Sequence, residues 1–248
     1  MVVSLARREL RGRYKGSVFG FLWNFFIPLV QMVVYVIVFS QLFKHSIENF
    51  SVFFLAAMAE WIFISDALSA GAGEIVANGD MLGKIYFPRS VLPISIIIAK
   101  LVNYLITLGV IVAIIGLLGH GFSLFALLYL PIMIALMVIF ITGVVLVLSS
   151  IDAYFRDVQY IVTVMLAVLF WITPIIYDRS EFDSSSLLGY ILMFNPLTYF
   201  IESFRDIFYY QCAPSATNLV ICSVLAFVSI IAGSWVFRHL EKNFAEVL

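Results

Sequence analysis

Charge is scarce in this 248-residue chain. Asp, Glu, Lys and Arg together make up 12% of it, where a soluble domain carries about a quarter. Histidine occurs three times, at His45, His120 and His239, in separate places and without metal-ligand spacing. That scatter also argues against an intramembrane enzyme acting on lipid, which needs acids or histidines grouped on one membrane face. Cysteine occurs twice, at Cys212 and Cys222, the second inside an apolar run, so two free thiols are expected rather than a disulfide framework. Internal repeats are lacking, which argues against an ion-coupled secondary transporter built on inverted halves. A phosphate-binding loop is lacking as well. Gly79-Asp80-Met81-Leu82-Gly83-Lys84 has three residues between its glycines where four are required, and Ile85 stands where Ser or Thr would reach Mg²⁺. No cofactor is expected on this chain, and any ATP and Mg²⁺ it depends on belong to another.

What the chain has is apolar sequence, 63% of all residues. Runs long enough to cross a hydrocarbon core of about 30 Å lie near Phe21–Phe43, Phe50–Ala72, Val91–Leu118, Phe122–Leu148, Val158–Tyr177 and Ala216–Phe237. The first follows basic residues as a signal peptide would, but it is too long for one and no small-residue cleavage site follows it. The sequence therefore predicts an all-α membrane protein of six transmembrane helices in a single domain over 1–248. Between the fifth and sixth runs, Leu187–Phe194 and Leu197–Tyr210 are each too short to span and are split by Asn195-Pro196. A re-entrant half-helix pair over 185–210 fits this pattern; two amphipathic helices on the surface are the alternative.

Lys and Arg set the orientation. With the N-terminus inside and six alternating spans, ten fall in inner segments and only Lys44, Arg179 and Arg205 in outer ones. Both termini are thus expected in the cytoplasm. Over residues 1–16, Val3, Ala6, Leu10 and Tyr14 share one stripe and Arg8, Arg11 and Lys15 the neighbouring face, the pattern of a basic amphipathic helix in the inner interface. A plain topology signal is the competing explanation. Glu60, Asp66 and Lys100 lie within apolar runs, where ionisable groups serve either function or structural pairing; three scattered groups favour pairing. The inner loop over 74–90 turns at Asn78-Gly79-Asp80 and then exposes apolar and basic residues, as a docking surface for a soluble partner would.

These segments together resemble the membrane subunits of ABC-2-type polysaccharide exporters, the family of O-antigen, capsule and teichoic-acid export permeases. The resemblance rests on six stretches in register over nearly the whole chain. They are Arg8–Tyr14; Gly20-Phe21-Leu22-Trp23 with Pro28; Lys84-Ile85-Tyr86-Phe87-Pro88-Arg89 with Leu92-Pro93; Tyr154–Val158; Phe170–Tyr177; and Asn195-Pro196-Leu197. It implies a homodimer carrying two copies of a separate ATPase in the bacterial cytoplasmic membrane, with a lipid-linked polysaccharide as substrate; an ABC-2 exporter of a drug or small lipid is the alternative. It implies that Asp80, Met81, Lys84, Ile85, Tyr86, Phe87, Pro88 and Arg89 couple to that ATPase, beside a second cytoplasmic loop at Phe155, Arg156 and Asp157. Arg8, Arg11, Arg13, Tyr14 and Lys15 would form an interfacial gate helix. Trp23, Tyr35 and Phe39 of the first span and Phe170, Trp171 and Tyr177 of the fifth would line the path. Asn195, Pro196, Tyr199 and Arg205 would close its outer end.

Overall fold

A computed structural model describes residues 2–12, 23–42, 47–79, 87–183 and 185–244, and all of the regular structure among them is helical. In chain order the helices are α1 (Val2–Gly12), α2 (Trp23–Leu42), α3 (Phe50–Ala72), the single turn α4 (Glu74–Ala77), α5 (Val91–Leu117) and the short α6 (Leu124–Leu127). They continue with α7 (Leu130–Asp152), α8 (Val158–Ile172), α9 (Leu187–Phe194), α10 (Pro196–Phe208) and α11 (Ala216–Leu240). Among the described residues, α3, α5, the stretch Leu124–Asp152 and α11 are long and apolar enough to cross a membrane. The 20-residue α2 reaches the usual length of a span, while α8, with 15 residues, falls short of it.

Prolines and caps account for where the helices depart from the apolar runs. The run at Phe122–Leu148 is broken: Ser123 caps α6, its Oγ accepting from the Ala126 N–H at 3.4 Å, and Pro131 then opens α7 in its first turn. That helix continues past Leu148 to Asp152, and within it the Ser149 and Ser150 hydroxyls donate to the Leu146 and Val147 carbonyls, which satisfies these buried polar groups. The run expected to extend to Tyr177 stops being helical at Ile172, since Pro174 disfavours helix at Thr173. Residues 173–177 form a series of bends instead. Asn195 both ends α9 and caps α10, its Oδ1 accepting from the Leu197 N–H at 3.0 Å.

Helix α3 is the axis of the molecule. It packs against α5, α7, α8, α10 and α2, and Phe53, Phe54, Phe63 and Ile64 are almost wholly enclosed. The closest helix pair is α7 with α11. At Gly143 and Gly233 a Cβ would overlap the other helix's backbone, and Ser229 Oγ donates to the Phe140 carbonyl at 2.7 Å beside them. This is the small-residue approach that lets membrane helices meet closely.

The elements run alternately between two ends. At one, Ile75, Leu146, Ala153, Phe237 and Phe244 form a small apolar cluster, and Arg8 of α1 donates to Asn78 Oδ1 at 2.8 Å. The described parts of both termini therefore lie at this Arg89 end. At the other, the Arg205 end, α10 packs over the start of α3.

Candidate functional site

Between α2, α3 and α8 lies a cleft of about 460 Å³. One side is aromatic: Trp61 meets Phe170 edge-on at 5.5 Å between ring centroids, and Phe170 meets Trp171 the same way at 5.4 Å. Trp61 is nearly buried while Trp171 is 63% exposed, so this ladder leads from the core to the open face. The other side is polar, with Gln31 from α2 and Ser65 and Asp66 from α3. Asp66 Oδ2 takes the buried Lys100 ammonium at 3.3 Å. Of the three ionisable residues singled out within spans, Asp66 and Lys100 are thus a pair. The third, Glu60, accepts from the Tyr104 hydroxyl at 3.1 Å, and its second oxygen has no hydrogen-bond partner among the described residues.

At the Arg205 end two proline corners interlock. Breaking α8 before Pro174 leaves carbonyls without helical donors, and buried backbone groups of this kind need partners. Asn195 Nδ2 donates to the Ile172 carbonyl at 3.3 Å and to Thr173 Oγ1 at 2.9 Å. Arg205, 2% exposed, donates to the Pro174 carbonyl at 2.6 Å and the Ile175 carbonyl at 3.3 Å. Its guanidinium also stacks 3.6 Å from the Phe53 ring centroid, a close cation–π contact. Arg205 forms no salt bridge with Glu202, one turn before it, or with the adjacent Asp206. Glu202 instead meets Arg179 at 3.4 Å, and Asp178 accepts from the Tyr210 hydroxyl at 2.8 Å. Burial pushes the Arg205 guanidinium down to about 10 against the pull of the acids around it, and pushes the Asp206 carboxyl up to about 6. Burial also raises Asp178, but the Ser180 N–H, the Tyr210 hydroxyl and the Arg205 charge outweigh it and hold that carboxyl below its ordinary value.

At the Arg89 end, Phe87 is buried, Pro88 is exposed, and Arg89 donates to the Glu241 carbonyl while lying over the Phe244 ring at 5.7 Å. The Tyr154 hydroxyl donates to the Leu240 carbonyl at 2.9 Å. Phe155 is 69% exposed, and Arg156 and Asp157 beside it are exposed too. Two of the motif stretches thus fasten to the end of the last helix and leave Phe155 outward.

Asp80, Met81, Lys84, Ile85 and Tyr86 lie outside the described residues, as do Arg13, Tyr14 and Lys15 and the side chains of Arg11, Tyr35 and Phe39. Of the aromatic residues assigned to the path, Phe170 and Trp171 line the cleft. Trp23 and Tyr177 do not: Trp23 stands on an exposed face of α2 against Phe26, and Tyr177 donates to the Trp171 carbonyl at 3.0 Å. Tyr199 turns back to the Met193 carbonyl at 2.8 Å, tying α10 to α9. Sequence reasoning passed over Gln31 and Ser65. A glutamine within an apolar run is a signal of the same kind as Asp66, though weaker because it carries no charge.

Several helices of membrane-spanning length, with a cleft among α2, α3 and the shorter α8 that polar groups line, define a multi-pass α-helical membrane protein of the transporter kind. The chain belongs to the ABC-2 type transporter family, whose sequence model it matches over residues 2–209. It is 31% identical over 246 residues to the O-antigen export system permease protein RfbA of Myxococcus xanthus, covering 99% of this chain and 94% of that one. It is 30% identical over 251 residues to RfbA of Klebsiella pneumoniae, covering 100% of this chain and 95% of that one. With the polysialic acid transport protein KpsM of Escherichia coli it shares 23% over 247 residues, covering 97% and 93% of the two.

Proposed function

We propose that this chain is the membrane-spanning permease subunit of an ATP-driven exporter that carries a lipid-linked polysaccharide out across the bacterial cytoplasmic membrane. The observation that carries the reading is the aromatic and polar cleft between α2, α3 and α8, in a chain aligned end to end with O-antigen export permeases. A glycan has hydroxyls that need hydrogen bonds and C–H faces that pack on aromatic rings, and this cleft offers both.

In this reading two copies of the chain pair around the path and each seats one copy of a separate ATPase, which binds ATP and Mg²⁺. Helices α2, α3, α5, α7, α8 and α11 are six spans, and the excess of Lys and Arg places the Arg89 end, with both termini, in the cytoplasm. Residues 80–86, with exposed Pro88 and Phe155, meet the ATPase, while Phe87 and Arg89 hold the loop to its own chain. The basic N-terminal segment carrying Arg8, Arg11, Arg13, Tyr14 and Lys15 gates the inner entry. Helices α9 and α10 form a re-entrant outer gate turning at Asn195-Pro196.

The test is complementation. A host lacking its own O-antigen permease receives the chain together with its ATPase, and surface glycan is stained on intact cells. Glycan should reach the surface with an active ATPase and stay inside when the ATPase cannot hydrolyse ATP. Glycan retained inside with both subunits present in the membrane contradicts the reading.

A further inference from the structure

We propose that the cleft between α2, α3 and α8 is a subsite for uncharged sugars, with Asp66 as the residue that turns anionic glycans away. The inference rests on the exporter reading and narrows its substrate class. Its ground is the balance of donors and acceptors on the polar side. Asp66 stands half exposed at the cleft, with Oδ2 held by Lys100 at 3.3 Å. A carboxylate only accepts, so Asp66 presents oxygen and negative charge to whatever occupies the space. Ser65 has committed its hydroxyl hydrogen to the Ile62 carbonyl at 3.1 Å, which leaves its oxygen to act as an acceptor. Gln31 adds one carboxamide, with a donor group and an acceptor. This side of the cleft therefore asks for donors. Sugar hydroxyls supply them, and the Trp171 ring opposite, 63% exposed, offers a flat apolar surface to the C–H face of the same ring.

A sugar bearing carboxylate or phosphate reverses the match. It brings acceptors to acceptors and a negative charge to Asp66, in a partly enclosed space where like charges repel more strongly than in water. Lys100, 3.3 Å from Asp66 Oδ2, weakens this repulsion without cancelling it, because its side chain is 4% exposed and an occupant meets the half-exposed carboxylate end of the pair first. Discrimination by a repulsive group is as effective as added attraction for the preferred ligand.

The experiment uses the chain with its ATPase in two hosts that lack an export permease. One assembles an uncharged mannose homopolymer on a lipid carrier, and the other assembles polysialic acid. Wild type should place the mannose polymer on the surface severalfold more efficiently than polysialic acid, as one half-exposed like charge at the cleft would cause. Asp66→Asn should shrink the preference, read as the ratio of the two polymers at the surface at equal membrane abundance rather than as the absolute export of either. The double variant Asp66→Asn, Lys100→Met removes the buried ammonium along with the charge it faces. Loss of preference in both variants, at normal membrane abundance, separates specificity from folding. Equal export of the two polymers by wild type, or a preference unchanged in both variants, overturns the inference and leaves the exporter reading standing. Neither polymer reaching the surface overturns both.

Discussion

Helices α3 and α11 are of nearly equal length, 23 and 25 residues, and occupy opposite environments. The less apolar of the two, α3, carries Glu60 and Asp66, yet 78% of its most apolar stretch is buried inside the protein, against 17% for α11. In water the order would be reversed, because burial follows apolarity there. In a bilayer the surroundings are as apolar as leucine, so apolar surface alone gives a helix no reason to move inward. Polar groups do, because they need partners: Glu60 finds Tyr104, and Asp66 finds Lys100. Valines, isoleucines and aromatics stay outward on α11, with Val224, Phe227, Ile231 and Trp235 exposed. Apolarity thus marks which segments enter the membrane, and departures from it mark which helix is central.

The contrast is open to breakage by matched truncations. Phe53→Ala on α3 removes a fully buried ring and should cost about 3–5 kcal/mol. Phe227→Ala on α11, at a site 60% exposed, should cost under about 0.5 kcal/mol. Heating each variant in detergent and following the loss of the monodisperse species checks both. Equal losses would mean that α11 is packed in a way its exposure contradicts.

Next in size is Arg205→Met, which leaves the Pro174 and Ile175 carbonyls without their donor inside the corner. The loss should be on the order of 3 kcal/mol, and Arg205→Lys should fall between, since an ammonium cannot reproduce the planar fork. Limited proteolysis of residues 173–183 gives a local readout. Protection unchanged in Arg205→Met would remove the guanidinium from its role as clasp.

Much of this contrast was written in the sequence. The bounds of α3 follow directly from the apolar run that stops at Ala72-Gly73, and the split of α9 from α10 follows from Asn195-Pro196. The end of α8 at Ile172 was also legible, because Thr173-Pro174 carries the same signal, but the apolar residues after it extend the run past the break. The role of Arg205 was not legible. Its carbonyl partners lie 31 and 30 residues earlier, and they need a donor only because the helix there has ended. The cleft escaped for a related reason: Gln31, Asp66 and Trp171 come from three helices, and no period within one helix links them. Motif resemblance found Phe170 and Trp171 by position, without the neighbours that give them a polar wall to face.

A smaller effect sharpens the one place where α11 does meet the core. Gly233→Val places a side chain against the Gly143 carbonyl and should cost about 1–3 kcal/mol. Ser229→Ala, which removes one hydrogen bond to the Phe140 carbonyl, should cost about 1 kcal/mol. A tolerated Gly233→Val would show that α7 and α11 are free to separate.

The smallest effect is in pH. The Asp206 carboxyl, raised to about 6 by burial, binds its proton more tightly folded than unfolded. Stability from this group is therefore full below the ordinary aspartate range and is lost as pH rises through about 6. Asp178 acts in the opposite sense and contributes down to acid pH, because its carboxyl is held low. Between pH 7 and pH 5 the Arg205 end should become slightly more resistant to heat, and Asp206→Asn should reduce that gain, the remainder coming from Glu202, whose carboxyl burial also raises. A gain undiminished in Asp206→Asn would assign it wholly to another group.

The central claim, that the cleft beside α3 is the export path, is tested most directly by a single thiol within it. Ser65→Cys is introduced with Cys212→Ser and Cys222→Ser, and the variant is joined to its ATPase in cells that assemble a lipid-linked glycan. Maleimide labelling of Cys introduced at this one position should stop export, and accumulated glycan should slow the labelling. Complete labelling with export unchanged would place the path elsewhere.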